Sequence, residues 1–365
     1  EVVRRAGLNP TITRGELAEE DWSRIHEAFR NLLAEVATGG NPCYYPDLDD
    51  YAAYSFTGQN GQPFDSVNSL IAAVLMHRQA TKHLSEAKGA LRRKVAQHLK
   101  RLSKKEAIHQ MALQEAERAD LLRHQGELLT AYFHLIPAGA EEVQLPDYLQ
   151  EGRLVTIPLD PRLSPSANIQ RLFKRYHKAK ASQRHSEELL NSILEEKQYL
   201  ENTLLQIEQA DDTALVKEIE RELQRTGYLE TGAPKTKERI SPPSGPDRYL
   251  SPDGLTILVG RNNRQNDELT FHLASPNHLW LHARGTPGSH VAVLAEGEIP
   301  ETTLLLAAQL AAYFSAQRSS PKAEVDYTLR KYVRKPKGAK PGYVHYERAQ
   351  TLVVDPTKFQ LPPKQ

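Results

Sequence analysis

The sequence carries a single cysteine, Cys43, among 365 residues. An internal disulfide needs two thiols and a thiolate zinc cluster more, so a disulfide scaffold and a Cys-based zinc finger are both excluded. A lone thiol fits a cytoplasmic compartment. Long apolar runs are missing too. The best, 304–314, falls well short of the roughly 18 residues that a bilayer span requires, so neither a transmembrane helix nor a membrane partner is expected. An excess of either charge is also lacking: 47 Lys and Arg stand against 46 Asp and Glu, a formal net charge of +1. Any nucleic-acid binding must therefore come from local asymmetry. The chain opens on Glu1 instead of Met, and residues 1–10 read as the interior of a domain, which predicts a fragment with further sequence upstream.

What is present is strong helical periodicity. Residues 1–65 read as short helices and turns: 16–36 is helical by period, Gly39, Gly40, Asn41 and Pro42 stop it, and 44–56 alternates as a strand pair would. From residue 66 no proline occurs until after Ile136, and Leu84, Leu91, Val95, Leu99, Leu102 and Ile108 recur at helical spacing, which predicts one long helix. A second series is stricter. Ile169, Leu172, Tyr176, Ala179, Gln183, Ser186, Leu190, Ile193, Lys197, Leu200, Leu204 and Ile207 step by three and four, the heptad seam of a helix pair. Between them, 142–145 and 154–159 read as strands around Pro146 and Gly152. The expected fold class is α+β: a long antiparallel coiled-coil hairpin over 66–230 with a small β-containing tip at about 120–165, followed by an α+β domain.

Charge is uneven over that hairpin. On the outgoing helix Arg78, Lys82, Lys88, Arg92, Arg93, Lys94, Lys100, Arg101, Lys104 and Lys105 stand against only Glu86 and Glu106, and the returning helix carries Glu187, Glu188, Glu195, Glu196, Glu201 and Glu208. Complementary charge across the pair is one explanation, and solvated outer faces are another. Residues 212–224 predict a further helix stopped by Gly227. The Pro- and Gly-rich stretch 231–247 reads as a linker by composition, so a separate domain is expected over 248–365.

In that domain strands are expected at 255–259, 279–283, 290–294, 324–329, 343–346 and 351–354, with helices at 266–273 and 304–315. Three polar groups stand out. Arg261, Asn262, Asn263, Gln265, Asn266 and Asp267 follow a strand and Gly260; their amides can cap a helix, as Asn266 or Asp267 would, or meet base edges and ribose hydroxyls. Trp280, His282 and Arg284 share one strand face, with Ser289 and His290 after a Pro-Gly turn, so a ring, imidazoles and a guanidinium could stack on bases and grip phosphate. Taken singly each is equally at home in a core; together they favour a site. The third group is Arg330, Lys331, Arg334, Lys335, Lys337 and Lys340, six cations in eleven residues without an acid, interleaved with Tyr332 and Tyr343. Such an open basic loop suits a phosphate backbone, although a solvated charge run would look the same.

No catalytic, metal or cofactor residues are predicted. His278, His282 and His290 match no standard zinc spacing, and the Gly-x-Ser-x-Gly elbow of hydrolases is absent around Ser289.

At these residues the chain resembles the NFACT family. The similarity lies in 258–269 (LVGRNNRQNDEL), 279–291 (LWLHARGTPGSHV) and 325–346, including 337–343 (KGAKPGY). Upstream, 126–132 (GELLTAY), 157–180 and 5–8 (RAGL) resemble the family's middle and helix-hairpin-helix segments. The resemblance implies a cytoplasmic, noncatalytic ribosome quality-control factor. Members bind obstructed large ribosomal subunits through rRNA and the stalk base, together with tRNA and the peptidyl-tRNA nascent chain complex, and they support template-free carboxy-terminal alanine tailing of the stalled chain. It assigns 1–65 to a remnant of the amino-terminal and helix-hairpin-helix region, lacking most of the amino-terminal globule, and 248–365 to the RNA-binding domain. Two alternatives stay open: a nucleic-acid-processing enzyme related to DNA glycosylases, and a surface adhesin, as the family's older fibronectin-binding label implies.

Overall fold

The computed structural model describes residues 1–117, 119–149, 153–230 and 244–365. The stretch read as a linker lies mostly outside them, as does Gly152. The fold is α+β, and the chain forms two compact units, Glu1–Ala87 and Lys88–Gln365. In the first unit, helices α1 (Val2–Arg5) and α2 (Glu19–Ala37) accompany strands β1 (Cys43–Tyr45), β2 (Asp50–Ala52) and β3 (Gln62–Pro63), in the order β2-β1-β3. Tyr45 stacks on Phe56 at 4.3 Å beside the buried Cys43.

The predicted helix pair forms. Helix α3 (Val67–Glu117) leads to α4 (Ala119–Ala131), and strands β4 (Glu142–Asp147) and β5 (Arg153–Pro158) make an antiparallel hairpin before α5 (Pro165–Gln209) returns. Ser164 starts α5, accepting a hydrogen bond from the Ala167 N–H at 3.2 Å, with Pro165 in the first turn. At ~1.5 Å per residue, the 45 residues of α5 extend about 68 Å. Every seam residue named on α5 is buried or half-buried. The opposing partners run antiparallel: His109 meets Ser186 (3.3 Å), the Lys197 ammonium donates to Glu106 (2.6 Å), and the Lys88 ammonium donates to the Glu208 carbonyl (2.8 Å). Two expectations change. Ile108 is 63% exposed, because Glu106 and His109 occupy the seam instead. The cross-helix ion pair has the opposite sense to the one expected, with its cation on the returning helix. Arg92, Arg93, Lys94, Lys100, Arg101, Lys104 and Lys105 stay exposed on α3.

Helix α6 (Thr213–Arg225), capped by Asp212 at 2.7 Å, lies against α5, and the sheet domain follows. Its strands are β6 (Asp247–Leu250), β7 (Thr256–Val259), β8 (Leu279–Ala283), β9 (Val291–Val293), β10 (Ala323–Leu329) and, later in the chain, β13 (Gln350–Val354). They form one antiparallel sheet in the order β13-β10-β8-β9-β7-β6. Helix α7 (Asn263–Glu268) runs into a π-turn over Leu269–Leu273, and α8 (Glu301–Tyr313) packs on the opposite face. The short strands β11 (Val333–Arg334) and β12 (His345–Tyr346), which follow β10 in the chain, pair as a separate two-stranded sheet.

The central strands read as continuous apolar runs because both faces are covered. Ile257, Val259, Leu279, Leu281, Val291 and Val293 face α8, whose Ala307, Ala308, Ala311 and Ala312 permit close approach. The alternate residues Leu258, Trp280 and Ala292 pack with Leu269, Ala274 and Val333 on the other face. Strands β6 and β11 were not legible in the sequence; each is short, and β11 lies inside the basic run.

Candidate nucleic-acid interface

The amide group after Gly260 is an internal lock. Asn262, not Asn266, caps α7, accepting from the Gln265 N–H at 2.8 Å while donating to Glu218 at 3.1 Å. Asn263 accepts from Asn202 (2.6 Å) and Gln206 (2.9 Å) and donates to Thr203 (3.0 Å) and Glu222 (3.1 Å), so it fastens the sheet domain to α5 and α6. Arg261 is buried, donating to Asp247 and to the Gln209 carbonyl at 2.8 Å each, with its guanidinium 4.5 Å from the Phe314 ring centroid. The Asn266 side-chain oxygen Oδ1 accepts from the His290 backbone N–H at 3.0 Å. Only glycine fits at 260, since a Cβ there would stand 2.1 Å from Asn266 Oδ1. These four side chains are buried and, apart from the Asn266 amide nitrogen, hold partners within the protein. The sequence signal was ambiguous because caps, locks and base-reading residues draw on the same side chains.

Trp280 is fully buried. Its indole N–H donates to Thr270 Oγ1 at 3.2 Å, and Thr270 stands 2.8 Å from His290 Nδ1. His282 is stacked on Trp280 (5.8 Å between centroids) and set edge-on to His290 (5.5 Å). Burial pushes the His282 pKa down to about 4, and burial together with the neighbouring His282 drives that of His290 well below its ordinary value. Both rings are uncharged at neutral pH. Ser289 is buried, with its N–H bonded to the Phe314 carbonyl at 3.0 Å. Arg284 is exposed but sits between Glu324 (3.6 Å) and Asp326 (3.9 Å), which offset its charge.

His282 and His290 lie in a cleft of about 150 Å³, bounded by α5 at Gln198, by the 285–288 turn and by 341–344. The wall at 341–344 is the end of the basic loop. Gly342, with φ +76°, donates its N–H to Asp267 at 3.0 Å and leaves no room for a Cβ, which would fall 2.7 Å from Asn263 Oδ1.

The loop itself divides. Arg330 is turned inward, donating to the Thr270 carbonyl at 2.7 Å. Lys335 pairs with Asp267, and among the described residues it is the one cation of the six that meets a carboxylate. Lys331 reaches the Asn277 amide oxygen (3.3 Å) and stands 5.5 Å from the Tyr332 ring centroid, and Lys340 stands 5.1 Å from the Tyr228 ring centroid. Arg334 and Lys337 are exposed and, among the described residues, without a partner. The result is a loop with four cations that meet no carboxylate among the described residues, and its continuation at 341–344 walls a cleft whose lining carries no charged side chain.

Comparison with known proteins agrees with this architecture. Residues 1–241 match the NFACT N-terminal and middle domains, and residues 247–347 match the NFACT protein RNA binding domain. The chain is 39% identical over 321 residues to the Rqc2 homolog RqcH of Streptococcus suis, which spans 87% of this chain and 57% of that protein. It is 33% identical over 360 residues to the Rqc2 homolog RqcH of Bacillus subtilis, spanning 98% of this chain and 61% of that one. Among solved structures it is similar to the C-terminal part of the fibronectin/fibrinogen-binding protein from Streptococcus suis, with 35% identity and a TM-score of 0.60 over 75% of this chain and 96% of that one. The chain thus spans about three fifths of the length of these curated relatives. With two family domains matched in order and relatives above 30% identity along most of its length, the chain belongs to the NFACT family.

Proposed function

We propose that this chain is the helical-arm and RNA-binding part of a cytoplasmic ribosome quality-control factor. In this reading it binds an obstructed large ribosomal subunit and tRNA beside the peptidyl-tRNA nascent chain complex, and it supports template-free carboxy-terminal tailing. The observation that carries the reading is the uncompensated charge of Lys331, Arg334, Lys337 and Lys340 on one loop of the domain that matches an RNA-binding family. Unpaired cations on an open segment attract a phosphate backbone by releasing its counterions. The exposed cations of α3 from Arg92 to Lys105 add to the positive charge of the chain. The part played is binding and positioning, since peptide bonds belong to the ribosome.

The same reading takes 1–65 as the end of the amino-terminal region, 66–230 as the coiled coil with its tip near the stalk base, 231–247 as a linker and 248–365 as the RNA-binding domain. Of the residues singled out from sequence, Lys331, Arg334, Lys337 and Lys340 contact RNA phosphates, His282 and His290 line the adjoining cleft, and Arg261, Asn262, Asn263, Asn266, Trp280 and Ser289 shape the surface from within. Sedimentation of a cell lysate on a sucrose gradient tests it: the chain should travel with the large subunit and leave it at high salt. A chain that remains at the top of the gradient at low salt overturns the proposal. The name of the structural neighbour raises fibronectin binding as a second reading; retention on immobilised fibronectin without sedimentation with ribosomes would favour it.

A further inference from the structure

Resting on that RNA-binding reading, we propose that the cleft bounded by Gln198, Thr286, His282 and Tyr343 is a subsite for one unstacked nucleobase of the bound RNA. Three features converge. The first is size: about 150 Å³ lies below the roughly 300 Å³ at which drug-sized sites begin, so the cleft admits a single planar ring system and leaves sugar and phosphate outside. The second is charge. Burial holds both imidazoles neutral, so the interior does not suit an anion, whereas the cations that do lie on the loop whose continuation, Pro341 to Tyr343, forms one wall. A strand whose phosphates follow Arg334 and Lys337 would present its base, not its backbone, to the opening.

The third feature is unused hydrogen-bonding capacity. Most polar groups nearby are engaged, for example Asn202, which accepts from the Gly288 N–H at 3.0 Å and donates to Asn263. The Gln198 amide, the Thr286 hydroxyl and the Tyr343 hydroxyl have no hydrogen-bond partner among the described residues. An amide and two hydroxyls together offer the mixture of donors and acceptors that a base edge requires, and the Tyr343 ring supplies a stacking face. Histidine stacked on tryptophan is fixed in orientation, so little rotamer freedom is lost on binding.

The test compares a 12-nucleotide single-stranded RNA with a blunt RNA duplex carrying as many phosphates, each bound to the full chain, with 2-aminopurine placed at successive positions of the single strand. The single strand should bind about tenfold more tightly than the duplex, and one 2-aminopurine position should change its emission on binding. Thr286→Trp, which fills the mouth, and Gln198→Ala, on the exposed side of α5, should each remove most of that preference and the emission change while leaving duplex affinity unchanged. Circular dichroism melting checks the fold of the first, and the second keeps the test available if Thr286→Trp unfolds. Equal effects on both RNAs, or none on either, overturn the subsite while leaving RNA binding intact. Absence of salt-dependent binding by either RNA overturns the RNA reading and the subsite with it. Free adenosine, cytidine, guanosine and uridine form a separate arm: a nucleoside that binds in a Gln198-dependent manner while the single-stranded RNA shows no Gln198 dependence would make the cleft a small-molecule site and refute the proposal.

Discussion

Replacing His282 with Gln should make the sheet domain less sensitive to acid, and the size of the effect follows from its burial. The His282 ring has an ordinary pKa of 6.5 in the unfolded chain and about 4 in the fold, where loss of solvent outweighs the attraction of Asp326 for its protonated form. Between those values the unfolded state binds the extra proton, so stability is complete above about pH 6.5 and declines as pH falls through the window. At about 1.4 kcal/mol per pH unit, the decline over the two and a half units comes to about 3 kcal/mol, a large share of the roughly 5–15 kcal/mol that holds a typical domain together. His290 acts in the same direction, helped by Lys335 and by His282 itself, so the His282→Gln protein should keep part of the slope. Urea unfolding read by Trp280 fluorescence in a Trp22→Phe background, from pH 7.5 to 4.5, measures this. Carboxylates titrate in both proteins and cancel in the difference. The variant should lose about one proton's worth of slope; an unchanged slope would refute the claim that the fold keeps this imidazole neutral.

Other outcomes follow from the packing. Asn263→Ala removes the acceptor of the Asn202 and Gln206 amide groups and one donor each to Thr203 and Glu222, and leaving the two buried amides unpaired should cost about 3 kcal/mol in urea unfolding. Gly260→Ala forces a methyl onto Asn266 Oδ1 and should lower stability by about 3 kcal/mol, the upper end of overpacking costs, seen as a reduced melting temperature. Lys197→Leu should weaken the helix pair by about 1 kcal/mol by stranding Glu106, and adding Glu106→Leu should recover the loss, which a double-mutant cycle would show as coupling of that size.

The helix pair was legible because a heptad seam is a repeated local signal: twelve positions on α5 announce one buried face whether or not the partner is known. Ile108 misled because periodicity alone does not distinguish an apolar residue on the seam from one beside it, and here Glu106 and His109 take the seam through a salt bridge and a hydrogen bond with α5. The central strands were equally readable from their apolar runs, while β6 and β11 are too short to leave a pattern. Around the candidate interface the fold brings His282, His290 and the end of the basic loop to one cleft, but no sequence signal separated the side chains that turn inward from those that turn outward. Asn262, Asn263 and Trp280 are inside because α5, α6 and Thr270 bring them partners from far along the chain, and no local spacing reveals that. Gln198 passed unremarked for the converse reason: an exposed amide on a helix is unremarkable until the fold places it at the opening of a cleft.

The most direct measurement of the central claim is the salt dependence of single-stranded RNA binding by the chain and by a Lys331→Ala, Arg334→Ala, Lys337→Ala variant. If these three side chains meet phosphates, affinity should fall and the slope of log K against log salt should flatten by about 2, three contacts at roughly 0.7 each. Identical slopes and affinities for the two proteins would mean that the basic loop faces water, and would contradict the account.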